Sequence, residues 1–349
     1  MSFRVTLKAS GAGFDVADGK SVLQAGLDEG VALPYSCRGG ACATCRATIV
    51  EGRVNYGIAF ETHLSAADKA KGYVLLCCAT PLSDLVIDVA LVDTSALLPP
   101  KVCPSRLIKI DRPAPDVAVL TLRLHPNDDF KFAPGQYIDL LLEGGARRSY
   151  SIATAPKLEG LTRMELHVRH TQGGLFTDAL FGGAVPEGKV LRFEGPLGTF
   201  FLREKSDKPI IYLASGTGFA PLKAIIEYAK TKRIARPAVL YWGCRSLADL
   251  YMLGLAQSWA SKDAGDDASF RFVPVLSEPK PEDHWSGRTG FVHAAVMADF
   301  PDLSGHQVYA CGAPPMVDAA RRDFVAACGL PADEFFADAF ITEADRAGA

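Results

Sequence analysis

The placement of its cysteines constrains this chain more than any other feature. Cys37-Arg38-Gly39-Gly40-Ala41-Cys42-Ala43-Thr44-Cys45 has the spacing C-x4-C-x2-C, with Cys77 and Cys78 following at a distance. Five of the nine cysteines fall between residues 37 and 78, while Cys103, Cys244, Cys311 and Cys328 are scattered. Disulfides are disfavoured in a reducing compartment, and clustered thiols at fixed spacing point to metal rather than to core filling. The spacing is that of a plant-type [2Fe–2S] centre; the alternatives are a zinc site, usually built on C-x2-C pairs, or simply buried thiols. Gly39 and Gly40 suit a loop that must bring backbone N–H groups close to sulfur. For the fourth ligand, an extended chain at Cys77-Cys78 points neighbouring side chains to opposite sides, so only one can face the cluster.

A chain of 349 residues is expected to hold two or three domains. Its 48% hydrophobic and 22% charged residues suit a globular protein with real cores. A formal charge of −3 without a Lys/Arg block argues against nucleic acid as a partner. Met1 to Gly11 lacks a basic region followed by an apolar run, so no signal peptide is expected. The apolar stretch Val86–Leu98 is interrupted by Asp88 and Asp93 and predicts no membrane span. A cytoplasmic protein is the resulting expectation.

Three textures divide the chain. Residues 1–95 carry the alternating Phe3–Leu7, a helical stretch at Ser21–Glu29 and the cysteine loop. Leu97-Leu98-Pro99-Pro100 marks a linker at about 93–103. Residues 103–205 read as strands at Val117–Leu124, Gln136–Leu142, Met164–Arg169 and Val190–Glu194, separated by glycine turns, which predicts an antiparallel barrel. Residues 206–349 alternate strand and helix. Strands are expected at Pro209–Ala214, Ala238–Trp242, Phe270–Leu276 and Gln307–Ala310, and helices at Pro221–Lys230, from a Ser246/Asp249 capping box, and at Met316–Ala327. This alternation predicts a parallel sheet with nucleotide binding at the C-terminal ends of its strands.

Within these regions four segments carry candidate chemistry. In Arg148-Ser149-Tyr150-Ser151 the guanidinium can fork onto a pyrophosphate, the tyrosine can stack on a flavin, and a hydroxyl can reach the ring edge near N5. Gly173-Gly174-Leu175-Phe176-Thr177 could lend N–H groups and the Thr177 hydroxyl to a phosphate. Gly216-Thr217-Gly218-Phe219-Ala220-Pro221 joins a strand to a helix; its glycines allow close approach to a diphosphate, and Pro221 suits a first helical turn. It is not the G-x-G-x-x-G fingerprint. Cys311-Gly312-Ala313-Pro314-Pro315-Met316 ends another strand, and taken alone Cys311 reads first as a small core residue.

Together, in this order, the motifs resemble the ferredoxin–NADP reductase superfamily, in the three-domain type with an N-terminal ferredoxin domain, such as the benzoate dioxygenase and methane monooxygenase reductases. The resemblance covers almost the whole chain. It implies a β-grasp ferredoxin domain, an antiparallel β-barrel FAD domain and a parallel-sheet α/β domain for nicotinamide dinucleotide. Arg148, Ser149, Tyr150 and Ser151 then hold flavin, with His167, Val168, Gly173, Gly174 and Thr177. Gly216, Thr217, Gly218, Pro221, Cys311, Gly312 and Met316 hold NADH, or NADPH. Ser151, Thr217, Cys311 and Phe340 take the places around the reacting rings, Phe340 within the closing aromatic segment Phe335–Phe340. In these relatives the fourth cluster ligand lies four residues before the proline of a Pro-Leu-x-Asp stretch; here that is Pro81, which selects Cys77 to join Cys37, Cys42 and Cys45. The adjacent Cys78 departs from the expected single cysteine. His167-Val168-Arg169-His170, Tyr241-Trp242-Gly243 and Gly287-Arg288-Thr289-Gly290 look most like reductases that serve a CDP-6-deoxy-hexulose dehydratase.

The implied activity is electron transfer from NAD(P)H through FAD and the [2Fe–2S] cluster to a partner protein docking at the ferredoxin domain: an oxygenase, cytochrome P450 or dehydratase component. Residues 1–95 hold ten Asp/Glu and eight Lys/Arg, so a basic patch on the partner is expected. Arg245 could meet an adenosine 2′-phosphate, but no basic cluster accompanies it, which favours NADH. Two rivals remain: a stand-alone NADH-dependent flavin or quinone reductase with a small-molecule acceptor, and a non-enzymatic redox carrier or sensor.

Overall fold

Period-2 alternation in Phe3–Leu7 buries Val5 and Leu7 on one face of the first strand, β1 (Ser2–Leu7). The structure, a computed structural model, describes residues 2–59, 61, 63–93, 97–261 and 270–341. Of the expected linker at 93–103, residues 94–96 lie outside the described residues. Packing divides the chain into two units. The first is Met1–Leu97 with Gly198–Phe200 and Ala337–Ala349; the second is Leu98–Leu197 with Phe201–Phe336.

In the first unit β1 is followed by β2 (Gly13–Ala17), α1 (Val22–Asp28), β3 (Arg46–Glu51), β4 (Val54–Asn55), α2 (Ala66–Ala70), β5 (Tyr73–Leu75), β6 (Thr80–Pro81) and β7 (Leu85–Asp88). The Ser21 hydroxyl caps α1 by accepting from the Gln24 N–H at 3.2 Å. Strand order is β2-β1-β7-β3-β5, with β1 antiparallel to β2 and parallel to β7. A hairpin, a helix and a parallel central pair make this a β-grasp sheet. The cysteine loop fills the irregular stretch between α1 and β3.

The second unit opens with β8 (Lys101–Ala114), β9 (Val117–Leu124), β10 (Tyr137–Leu141), β11 (Arg147–Ser151), β12 (Arg163–Arg169), α3 (Leu175–Phe181) and β13 (Val190–Leu197). All pairings in the order β11-β10-β13-β8-β9-β12 are antiparallel. An antiparallel bridge between Ile152 and Leu166 links the two outer strands, closing the sheet as a barrel. Phe130, Phe193, Leu120, Leu166 and Val168 fill it.

There follow β14 (Ile210–Ser215), α4 (Phe219–Thr231), β15 (Ala238–Cys244), α5 (Leu253–Trp259), β16 (Phe270–Leu276), β17 (Arg288–Thr289), α6 (Val292–Asp299), β18 (Gln307–Gly312), α7 (Pro314–Ala327) and β19 (Phe335–Ala339). The sheet order is β17-β16-β15-β14-β18-β19. From β14 the chain winds outward through β15 and β16, then returns to the other side of β14 at β18. That reversal creates a crevice at the C-terminal ends of β14 and β18, where open α/β sheets bind ligands. One expectation is corrected here. The Ser246/Asp249 capping box caps only a single 3-10 turn, Leu247–Asp249, and the helix starts later, at Leu253. No helix among the described residues is long and apolar enough to cross a membrane.

Candidate functional sites: a four-thiol loop and a switch-point crevice

The thiols in the cysteine loop fall into pairs. Cys37 comes within hydrogen-bond reach of Cys42 and Cys77 within reach of Cys45, and Cys77 feels the charge of Cys42. The bond from Cys37 holds Cys42 down at about 5, while that same bond and burial push Cys37 well up. Among the described residues no single point gathers three potential ligands for one ion. Two pairs of thiols are what a two-iron centre requires, since each iron takes two, so the donor set fits [2Fe–2S] and not one tetrahedral zinc. The Gly39 N–H points at Cys37 Sγ from 3.5 Å, as expected of a loop that feeds donors to sulfur.

Cys77 and Cys78 do not form the expected extended pair with side chains on opposite sides. Residues 76–78 form a turn, with the Cys78 N–H bonded to the Leu75 carbonyl at 3.1 Å, and the two sulfurs lie 3.5 Å apart. The contact with Cys45 distinguishes Cys77 instead. A residue that sequence reasoning missed stands beside the loop, inside the same unit: fully buried Asp338 hydrogen-bonds the Ser36 hydroxyl, and burial raises its carboxyl to about 7. Phe340 lies just beyond β19, half-buried and grouped with this unit.

On β11, alternation sets Arg148 and Tyr150 on one face and Ser149 and Ser151 on the other. Tyr150 packs against Phe176 with ring centroids 5.6 Å apart, and burial raises its hydroxyl's pKa. The Arg148 guanidinium donates to the Arg147 carbonyl at 2.8 Å, and the Ser149 hydroxyl to Asp139 at 2.6 Å. Ser151 is buried. The Gly173-Gly174 turn uses much of its own hydrogen-bonding capacity. Gly173 N–H donates to Asp178, Gly174 N–H to the Thr171 carbonyl, and the Thr177 hydroxyl to the Thr171 carbonyl at 2.8 Å.

Val168 is barrel core, and both His167 ring nitrogens are engaged within the protein. Nε2 lies 2.7 Å from Glu165 and Nδ1 2.7 Å from the Tyr251 hydroxyl. Burial lowers the His167 pKa, so the ring is neutral. Burial would raise Glu165, but the His167 hydrogen bond and the Lys223 charge prevail and keep it ionised. The proton therefore sits on Nε2, donated to Glu165, and Tyr251 donates to Nδ1. Buried Lys223 continues the chain to Glu165 at 3.3 Å, Glu227 at 3.1 Å and the Ala153 carbonyl at 3.0 Å. This chain ties β12 of the barrel to α4 and Tyr251 of the parallel-sheet half.

At the crevice, Gly216-Thr217-Gly218 forms one 3-10 turn running directly into α4, with Pro221 in its first turn. A Cβ on Gly218 would lie 2.1 Å from the Cys311 carbonyl oxygen, so only glycine lets the two strand ends approach this closely. Gly312, at φ 136°, faces Ser215, whose hydroxyl accepts the Ala313 N–H at 2.9 Å. Thr217 and Cys311 are buried and Met316 is half-buried in the first turn of α7. Beneath, Trp242 donates to the Gly216 carbonyl at 3.0 Å and stacks on Phe219 at 4.0 Å between centroids. Arg169 bridges Asp116 and Asp249 beside Gly216. Ser215 and Lys223 carry no sequence signal, because Ala313 and Glu165, which they meet, lie far along the chain; Arg169 and Trp242 were visible only as parts of His167-Val168-Arg169-His170 and Tyr241-Trp242-Gly243.

Comparison with known proteins agrees with this layout. Residues 5–82 match the 2Fe-2S iron-sulfur cluster binding domain family, 104–202 the oxidoreductase FAD-binding domain and 212–322 the oxidoreductase NAD-binding domain. The chain is 41% identical over 341 residues to a CDP-6-deoxy-L-threo-D-glycero-4-hexulose-3-dehydrase reductase of Yersinia pseudotuberculosis, covering 98% of this chain and 99% of the relative. It is 33% identical to the reductase component of a phenol 2-monooxygenase of a Pseudomonas species, covering 100% and 97%. Among solved structures, a cytochrome P450 reductase of Amycolatopsis superposes with a TM-score of 0.73 at 33% identity, over 97% of this chain and 98% of that one. With three cofactor domains in one order and relatives matched over nearly their full lengths, the chain belongs to the ferredoxin–NADP reductase superfamily, in its three-domain, [2Fe–2S]-bearing type.

Proposed function

We propose that this NAD(P)H-dependent electron-transfer reductase delivers its electrons singly to a protein that docks at the ferredoxin domain, an oxygenase, cytochrome P450 or dehydratase component, in the cytoplasm. The observation that carries the reading is the gathering of Cys37, Cys42, Cys45 and Cys77 in a domain that matches the 2Fe-2S cluster binding family over residues 5–82. A chain that only reduced a small molecule at its flavin would have no use for it. The three groups supply complementary chemistry when bound: nicotinamide gives two electrons as hydride, flavin exchanges two or one, and the cluster carries one.

The chain's own residues bind and orient. Gly216, Thr217, Gly218, Gly312 and Met316 line the crevice for the dinucleotide, with Cys311 at its floor. Arg148 offers a fork to the flavin pyrophosphate, Tyr150 a ring face, and Ser151 a hydroxyl near the reacting edge. The Glu165–His167–Tyr251 chain holds the two halves of the second unit in register, so that rings bound to each stay aligned. Arg245 is exposed, and the sequence beside it carries no basic cluster, which favours NADH. The domain limits 1–95, 103–205 and 206–349 go with this reading.

A Cys45→Ser variant tests it. NADH oxidation with ferricyanide is expected to persist, because that acceptor can take electrons from flavin, while reduction of cytochrome c, standing in for the partner, is expected to fall by on the order of 100-fold. Equal cytochrome c rates in variant and native protein would instead favour the stand-alone flavin or quinone reductase.

A further inference from the structure

Cys78 is the one sulfur at the cluster loop for which this chemistry names no task. Its position is specific. The turn at residues 76–78 holds its Sγ 3.5 Å from Cys77 Sγ. It also packs on the loop itself, since a Cβ on Gly40 would lie 2.9 Å from the Cys78 sulfur. The backbone maintains this arrangement: the N–H groups of both Cys78 and Ala79 donate to the Leu75 carbonyl at 3.1 Å. Cys77 meanwhile turns to Cys45.

An ordinary thiol carries its proton at neutral pH, and a ligating cysteine is a thiolate with lone pairs to spare. At 3.5 Å the only proton between these two sulfurs is that of Cys78. A donor to a ligand sulfur stabilises the state with more negative charge there. Reduction adds one electron to the centre, so the donor favours the reduced form, and hydrogen bonds to sulfur are one of the levers that set such potentials. We propose that Cys78 is a positioning and tuning residue that donates S–H···S to the Cys77 ligand and raises the reduction potential of the cluster. The inference rests on Cys77 being the fourth ligand.

The test uses the full-length, cofactor-loaded protein with Cys78→Ala and Cys78→Ser substitutions. Iron content and visible absorption report cluster occupancy. Redox titration followed by the electron paramagnetic resonance of the reduced cluster reports the potential. Both variants are expected to keep their iron. Cys78→Ala shifts the oxidised-to-reduced ratio at a given potential toward oxidised by about tenfold, about 59 mV lower for one electron. Cys78→Ser, which retains an O–H donor, recovers most of that shift. A Cys78→Ala protein with full iron and the native potential overturns the proposal. So does a Cys78→Ser protein that shifts as far as the alanine variant, because packing would then be the cause. Loss of iron from Cys78→Ala overturns the ligand reading beneath it.

Discussion

At the scale of single residues, the cluster loop shows how much one side chain's direction matters. Cys77 and Cys78 are adjacent and chemically identical, yet Cys77 reaches Cys45 while Cys78 packs against Gly40. Substituting Cys77 by serine replaces a soft sulfur ligand with a harder, much less acidic hydroxyl. A Cys77→Ser protein is expected to lose most of its iron and its cluster absorption while retaining FAD, which metal analysis and the visible spectrum read directly. Full iron in Cys77→Ser would move the fourth ligand elsewhere. The same scale accounts for Ser149 and Thr177, both expected among the flavin-binding residues, whose hydroxyls bond Asp139 and the Thr171 carbonyl in the structure.

At the scale of elements, the crevice depends on the ends of two strands meeting. β14 and β18 are parallel neighbours, with Ala214 level with Cys311, and the turn after β14 folds back over the end of β18. Gly218 allows this, because its Cα faces the Cys311 carbonyl with no room for a methyl group. In Gly218→Ala the start of α4 must move away from β18, displacing Thr217 and Gly312 by a large fraction of an ångström. The expected result is a fall in kcat/KM for NADH with ferricyanide on the order of 100-fold, as a 1 Å misplacement commonly costs, with FAD content unchanged. Steady-state kinetics and flavin absorbance check it; native kinetics in this variant would show that the dinucleotide does not use this crevice.

At the scale of the whole molecule, buried titratable groups set opposing limits on stability. His167, His293 and His306 all have pKa values lowered by burial. As pH falls below about 6.5 the unfolded chain takes up protons that the folded chain refuses, so stability is lost toward acid. Asp338 acts with the opposite sign. Its carboxyl, raised by burial to about 7, favours the folded state fully below the unfolded value of 3.8, and that contribution disappears as pH rises through 7. The two terms oppose each other below neutrality and both level off above it, so the Tm of the holoprotein between pH 5.5 and 8.5 is expected to show little dependence on these groups above about pH 7.5. Each 1 kcal/mol lost lowers Tm by about 2–4 °C. Asp338→Asn removes the opposing term, so Tm should rise with pH more steeply between about 5.5 and 7 than in the native protein; an unchanged slope there would show that Asp338 does not supply that term.

The sequence by itself determined what depends on local spacing and period. The C-x4-C-x2-C loop, the order of the flavin and nicotinamide motifs, the strands at Val117–Leu124 and Phe270–Leu276 and the helical stretch at Ser21–Glu29 were all legible, because each repeats or closes within a few residues. Tertiary structure decided what depends on groups far apart in the chain. It brought Cys77 to Cys45, closed the barrel from Ile152 to Leu166 and set His167 against Tyr251. No local pattern encodes those contacts. A buried polar group takes whatever partner the packed fold brings within hydrogen-bond reach, and for His167 one such partner is a tyrosine 84 residues away.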